Sequence, residues 1–200
     1  MGAVVIALAA GAMSVGGTGT GTGAGVGAGS GSGISQSLRT RVSAGKSNAR
    51  GGRPDAAWRD LGLRRLRRTV RQGAPCAMNS YGEVQQFLVR TPCRSLDRVL
   101  LVLDDGAGNS MVVSVSWVRM RGTRAAADLA RLADEPGTGN VAPLPGALVR
   151  AGDIRWTGTN YASRRERSVV VIAEVEPVGG APGHELMDGV AEVAAELAGP

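Results

Sequence analysis

The sequence predicts an α+β domain over residues 76–200, in which helices cover one face of a four-stranded antiparallel sheet. Two pairs of apolar runs, each pair joined by a polar turn, have the alternation and length of β-hairpins. An amphipathic helix pattern follows each hairpin, and another precedes the first hairpin. The resulting order, α-ββα-ββα, is typical of ferredoxin-like or related two-layer folds.

The first predicted helix lies between the two cysteines of the chain, Cys76 and Cys93. Residues 80–83 (SYGE) match a capping box, in which a Ser hydroxyl and a Glu carboxylate satisfy free amides at a helix start. Thr91-Pro92 ends the helix, because the residue before a proline resists helical geometry. The apolar stripe of this helix consists of Val84, Phe87 and Leu88.

The positions of the two cysteines favour a disulfide between Cys76 and Cys93. The short link before the helix can fold back along it, so the two Cα atoms can approach to bonding distance. Closing a loop of this size stabilises a fold by about 3 kcal/mol in the chain-entropy model. Because disulfides persist in oxidising compartments, this one predicts export. The alternative is a cytosolic protein with two reduced thiols.

The next elements form the first predicted hairpin and its helix. Residues 99–103 (VLLVL) have the composition of a buried strand, and residues 104–109 (DDGAGN) that of a turn. Residues 113–117 alternate apolar side chains with serine, as expected for the return strand. Thr123 is placed to cap the following helix, which ends before Pro136.

The second half repeats this plan. Residues 153–162 and 169–175 are predicted strands, joined by a charged turn at residues 163–167. Glu174 and Glu176 share one face of the second strand, and we expect them to face solvent near the strand end. The last helix begins near His184, and its apolar stripe consists of Leu186, Val190, Val193 and Leu197.

The residues before the domain divide into segments of different composition. Residues 1–15 are apolar and uncharged, which matches the length of a signal-peptide core or a short membrane anchor, although no basic residue precedes them. An Ala/Gly-rich tail without a targeting role is the alternative. Residues 16–55 are rich in Gly, Ser and Thr and then basic, a composition typical of a flexible linker.

Residues 56–72 form an Arg-rich segment with helical periodicity. A helix here would carry its arginines on one face, which could contact an anionic membrane surface, and a disordered linker is the alternative. From residue 72 onward, 12 arginines are outnumbered by 15 carboxylates, which argues against nucleic acid as the partner of the domain. The arginines of the predicted face are Arg64, Arg65, Arg67, Arg68 and Arg71.

The sequence contains no recognisable catalytic motif, and we expect no cofactor and no metal. With His184 as the only histidine, zinc would lack its usual ligands and a Ser-His-Asp system would depend on that one residue. A tyrosine beside arginines suits contact with an anionic partner. The predicted partner surface is therefore Tyr161, Arg164, Arg165 and Arg167, for which a solvated turn is the alternative.

Several stretches of the domain resemble a family of uncharacterised membrane-anchored or secreted proteins from actinobacteria. They are residues 82–88 (GEVQQFL), 91–98 (TPCRSLDR), 137–141 (GTGNV) and 161–164 (YASR). The resemblance covers residue 76 to about residue 197. It implies a short N-terminal membrane segment with the domain outside the cytoplasm, and the family has no known catalytic motif. The chain departs from that pattern because it has no basic residues before the apolar segment.

These observations favour an exported or membrane-tethered domain, at the cell membrane or secreted, that binds a protein or another envelope component without catalysis. The alternative is a small-ligand-binding or enzymatic domain with a pocket over the sheet. A pocket that contains Glu174, Tyr161 or Asp153 with perturbed ionisation would favour this alternative. A third possibility is a nucleic-acid-associated protein that acts through the basic leader.

Overall fold

A computed structural model describes residues 35–200, and a five-stranded antiparallel sheet forms the centre of the fold. The predicted α+β class is confirmed, but the sheet has one strand more than predicted. The apolar segment predicted at residues 1–15 and the glycine-rich stretch after it lie outside the described residues. The strands are β1 (Arg64–Ala74), β2 (Ser95–Asp104), β3 (Ser110–Arg119), β4 (Asn160–Glu166) and β5 (Val169–Gly179). They lie side by side in the order β1-β2-β3-β5-β4.

Helices cover both faces of the sheet, whereas the prediction placed them on one. The reason lies in the central strands: residues 99, 101 and 103 of β2 point to one face and residues 96, 100 and 102 to the other, and all are apolar and buried. A strand that is apolar on both sides needs cover on both sides. The helices are α1 (Gln36–Arg50), α2 (Pro54–Asp60), α3 (Gly82–Arg90), α4 (Thr123–Ala133) and α5 (His184–Ala195).

The helices α1, α2 and α5 cover one face, and α3 and α4 cover the other. Ser35 caps the start of α1, because its Oγ accepts a hydrogen bond from the Leu38 amide at 3.3 Å. It packs against α5, where a Cβ on Gly189 would lie only 2.7 Å from Val42 Cγ2. Lys46 Nζ also lies 2.8 Å from Glu192 Oε2 of α5. The residues expected to be a linker before residue 56 thus include a helix that packs into the folded unit.

The Arg-rich segment forms α2 and the edge strand β1 instead of one amphipathic helix. β1 pairs with β2 and contains irregularities, one of them between Arg65 and Arg67. Its arginines reach different parts of the molecule: Arg65 pairs with Asp55 of α2, whereas Arg64 pairs with Asp104 of β2. The predicted single basic face is therefore absent from this part of the chain, because strand pairing overrides the helical periodicity of the sequence.

The disulfide between Cys76 and Cys93 is confirmed, with a Cα–Cα distance of 6.3 Å. The helix between the cysteines is α3, but the predicted capping box does not form. Ser80 Oγ donates to the Cys76 carbonyl at 2.8 Å instead. The first amides of α3 donate to the carbonyl of Thr138, at 2.6 Å from Glu83 N and 3.2 Å from Val84 N. The loop after α4 therefore caps α3.

The first hairpin is confirmed, and its turn is stabilised by Asp105, whose Oδ1 accepts from the amides of Ala107 and Asn109. The second hairpin differs from the prediction. β4 begins only at Asn160 and continues to Glu166, so most of the predicted turn is strand. Ile154 and Trp156 pack over the sheet in the connection between α4 and β4, because Leu100 and Val102 need cover there.

A candidate ligand-binding cleft

A cleft of about 430 Å³ opens on the face of the sheet that α3 and α4 cover. Its floor contains Glu174 of β5 and Tyr161 of β4, which are direct neighbours across the strand pair. Its walls are the start of α3, the loop after α4 and residues 156–158. The volume lies at the lower end of the range of pockets that bind small molecules.

Glu174 is buried, with only 4% of its surface exposed, so the expectation that it faces solvent is wrong. The strand alternation points it to the same face as Val170 and Ile172, beneath the cleft. Asn140 Nδ2 donates to its Oε1 at 2.7 Å, and no hydrogen bond from residues 35–200 reaches Oε2. Burial raises the pKa of Glu174 to about 7; the Asn140 hydrogen bond opposes this rise, and the nearby charge of Glu176 adds to it.

Two tyrosines line the cleft beside this carboxyl group. The Tyr161 hydroxyl donates to Asp134 Oδ1 at 3.0 Å, and burial together with that carboxylate raises the pKa of Tyr161 well above its usual value. Tyr81, at the start of α3, is about half exposed (48%), and its pKa is raised by partial burial and by the charge of Glu174. Both rings therefore carry protonated hydroxyl groups at neutral pH.

The loop after α4 contains a position, Gly139, that requires glycine. Gly139 has a φ of +88°, and its Cα packs against the Tyr81–Gly82 backbone so closely that a side chain there would collide with the Tyr81 carbonyl. Thr138 Oγ1 holds the loop to the end of α4 by donating to the Leu132 carbonyl at 2.6 Å. Asn140 Oδ1 accepts from the Val141 amide at 2.8 Å, which leaves its Nδ2 directed at Glu174.

A second buried carboxylate fixes the opposite wall. Glu176 Oε1 accepts from both the amide and the hydroxyl of Thr157, each at 2.6 Å. These hydrogen bonds place Trp156 and Gly158 at the cleft, where both contribute to the lining. Glu176 is itself 6% exposed, so it too departs from the expected solvent-facing position. The two glutamates of β5 have different tasks: one anchors a wall, and the other presents a carboxylate oxygen.

The cleft is acidic in a basic protein. The chain carries 23 Lys and Arg against 17 Asp and Glu, yet the lining within the described residues includes three carboxylates and no Lys, Arg or His. Three aromatic rings complete the lining. The carboxylates are Asp134, Glu135 and Glu174, and the rings belong to Tyr81, Trp156 and Tyr161. Such a site can accept hydrogen bonds, contact apolar surface and exchange a proton near neutral pH.

The predicted partner surface stays a prediction, and the structure separates two of its members. Tyr161 faces the cleft, whereas Arg164 lies on the opposite face of β4 and donates from Nε to the Ala195 carbonyl at 3.0 Å. Arg164 also pairs with Glu196 and Glu166, while Arg165 and Arg167 lie at the end of the hairpin. Asp153 is not among the residues that line the cleft.

The other sequence candidates have structural roles. His184 begins α5 as predicted, with its Nδ1 at 3.3 Å from Asn160 Oδ1. Within residues 35–200, no three His, Cys, Asp or Glu side chains lie close enough together to hold a metal ion. Over the same residues, no helix combines the length and apolar character needed to cross a membrane.

Sequence reasoning named Glu174 and Tyr161 as residues of a possible pocket. It missed the rest of the lining, because these residues come from four separate stretches of the chain. The usable signal in the sequence is the pair Glu174 and Glu176, two carboxylates within the otherwise apolar run of β5. The resemblance to an actinobacterial family stays a prediction. Comparisons with protein-family models, curated proteins and solved structures found no match to this chain.

Proposed function

We propose that the folded unit is a small-ligand-binding domain whose ligand occupies the cleft above Glu174. The observation that carries this proposal is a carboxyl group that is almost fully buried, lines a cavity of suitable size and keeps one oxygen without a hydrogen bond from the described residues. Buried polar groups are normally paired, so a carboxylate oxygen without a protein partner in a residue that lines a cavity is available to accept a hydrogen bond from a ligand. This favours the pocket alternative over a flat interaction surface.

The perturbed ionisation of Glu174 also suits acid-base chemistry, because a pKa near 7 lets one group both accept and donate a proton. An enzymatic role would need a substrate whose reacting atom lies within hydrogen-bond distance of the free oxygen. Binding is the simpler proposal, since it uses the whole lining and requires no further catalytic group.

A fragment screen by ligand-observed NMR on the full chain tests this proposal, with cationic, neutral and anionic members in the library. Amide spectra of the protein then locate each bound fragment. We expect bound fragments to shift the amide signals of the glycines that line the cleft: Gly82, Gly137, Gly139 and Gly158. The signals of Gly106 and Gly122, which lie outside the lining, should not move.

Two substitutions near α3 serve as a matched pair for this screen. Tyr81→Ala removes a lining ring and should weaken the bound fragments, whereas Met78→Ala removes an exposed side chain outside the lining and should leave them unchanged. If no fragment binds, or if the shifts concentrate away from the lining glycines, the proposed function is wrong.

We further propose that the domain is located outside the cytoplasm, either secreted or held at the cell membrane. The disulfide supports this location, because such bonds persist in oxidising compartments. Cell fractionation combined with titration of free thiols in the native protein tests it. Two titratable thiols in a cytosolic pool would contradict the proposal.

A further inference from the structure

The charge of the cleft restricts the ligand that it can hold. An anionic ligand would meet Asp134, Glu135 and Glu174 with no basic side chain in the described lining to compensate the repulsion. Like charges at close range disfavour binding, whereas opposite charges favour it and guide the encounter. The lining is therefore selective against anions such as phosphates and carboxylates.

The position of Glu174 favours a ligand with a cationic group. The residue as a whole is 4% exposed, and its Oε2 receives no hydrogen bond from the described residues. A buried carboxylate is stabilised by an opposite charge or by a donor that contacts it directly. A cationic group in the cleft would supply both, and Asn140 already holds the other oxygen in place at 2.7 Å.

The aromatic lining distinguishes an organic cation from a metal ion. The faces of Tyr and Trp rings attract ammonium groups through their quadrupoles, and cages of such rings recognise quaternary ammonium ligands. Three rings line this cleft, from Tyr81, Trp156 and Tyr161. Among residues 35–200, the carboxylates do not cluster as metal ligands. The combination of rings and carboxylates fits a charged nitrogen that carries apolar substituents.

We infer that the ligand is a small organic cation, an amine or quaternary ammonium compound, whose charged nitrogen lies between the aromatic rings and the free oxygen of Glu174. This inference rests on the proposed function, because it names the chemical class of the ligand for the same cleft. The nitrogen pairs with the carboxylate, and its carbon substituents contact the rings.

Paired probes that differ in charge but little in shape test the inference by isothermal titration calorimetry on the full chain. Choline is compared with its neutral carbon analogue 3,3-dimethylbutan-1-ol, and benzylamine with benzyl alcohol. We expect at least one cation to bind more tightly than its neutral analogue by about tenfold or more, since loss of the charge removes both the ion pair and the cation–π contact.

Substitutions separate the charge from the rings. Glu174→Gln keeps the shape of the side chain and should remove most of the preference for the cation, whereas Glu166→Gln, outside the lining, should leave it unchanged. Tyr81→Leu should lower the affinity for the cation, and Tyr81→Phe should retain it, because the ring and not the hydroxyl supplies the attraction. Circular dichroism confirms that each variant is folded.

The outcomes distinguish this inference from the proposed function. If neutral probes bind the cleft as tightly as the cations, or if Glu174→Gln leaves the preference intact, the inference is wrong and the cleft remains a binding site. The inference is also wrong if neither cation binds while the fragment screen finds neutral or anionic ligands there. If neither the probes nor the screen find a ligand in the cleft, both proposals fall.

Discussion

Glu174 makes the stability of the fold depend on pH in an unusual direction. Most carboxyl groups have a lower pKa in the folded than in the unfolded chain, but burial raises that of Glu174 to about 7, from an ordinary value of 4.5. At pH values between these two pKa values, Glu174 therefore holds a proton in the folded state but not in the unfolded state. Stability falls as the pH rises through this range, and the full cost is present above it.

Replacing Glu174 with glutamine should remove that cost. The side-chain amide oxygen of the variant can still accept the hydrogen bond from Asn140, so we expect Glu174→Gln to be more stable than the wild type at pH 8 by about 3 kcal/mol. The difference should shrink towards zero as the pH falls to about 4. Urea denaturation at several pH values measures it.

Glu196 provides a control of opposite sign for this measurement. It is buried and pairs with Arg50 and Arg164, and the Arg50 hydrogen bond holds its pKa below the usual value. Its contribution is present above pH 4.5 and is lost as the pH falls through the lowered pKa. Glu196→Gln should therefore destabilise the fold at pH 8 and less so in acid. Equal pH profiles for both variants and the wild type would contradict this account.

At the scale of elements, the disulfide joins the residues before and after α3 and supports one wall of the cleft. Cys76 is buried and precedes α3, and Cys93 lies between α3 and β2. Tyr81 and Gly82, between the cysteines, line the cleft. The crosslink thus restricts both the unfolded chain and the wall that carries one of the aromatic rings.

Removing this crosslink should lower the free energy of unfolding by about 3 kcal/mol, because the unfolded chain regains the entropy of a loop with a sequence separation of 17. The variant is Cys76→Ser with Cys93→Ser, compared with the wild type by urea denaturation. Addition of a reductant should reproduce the loss in the wild type and have no effect on the double variant. Identical midpoints for all samples would show that the disulfide contributes no stability.

The elements also show why some sequence patterns were reliable and others were not. β5 and α5 follow directly from an apolar run and from a stripe at helical spacing, and both are confirmed. β1 could not be identified in this way. It is an edge strand held by backbone hydrogen bonds to β2, so its side chains can be arginines without any alternation of apolar and polar residues. A polar edge strand therefore lacks the alternation of apolar and polar residues by which strands are recognised in a sequence.

At the scale of the whole molecule, the residues before Cys76 complete the fold. α1 and α2 bury Leu38, Val42 and Trp58 against the face formed by β2, β3 and β5. β1 pairs with most of β2, and without β1 this side of β2 would be an unpaired edge of the sheet. The domain predicted at residues 76–200 therefore lacks two helices and a strand of its own core.

We accordingly expect a chain of residues 76–200 to fail to fold, whereas the full chain folds cooperatively. Removal of the preceding elements exposes Val99, Leu101 and Trp117 to water, and each buried side chain of this size contributes about 2 kcal/mol. Amide NMR spectra and thermal denaturation compare the two chains. A dispersed spectrum and a cooperative transition from residues 76–200 would contradict this expectation and show that the shorter domain folds on its own.

Local patterns in the sequence suffice to predict the α+β class, the disulfide and the last helix, because each follows from local periodicity or from the spacing of a single residue type. Three other properties emerge only when the chain has folded: both faces of the sheet are covered, the Arg-rich segment forms α2 and β1, and Glu174 is buried beneath a cleft. These properties depend on which distant segments meet. Asn140, Tyr81 and Tyr161 surround Glu174 only after the strands have paired, and no local pattern in the sequence records that contact.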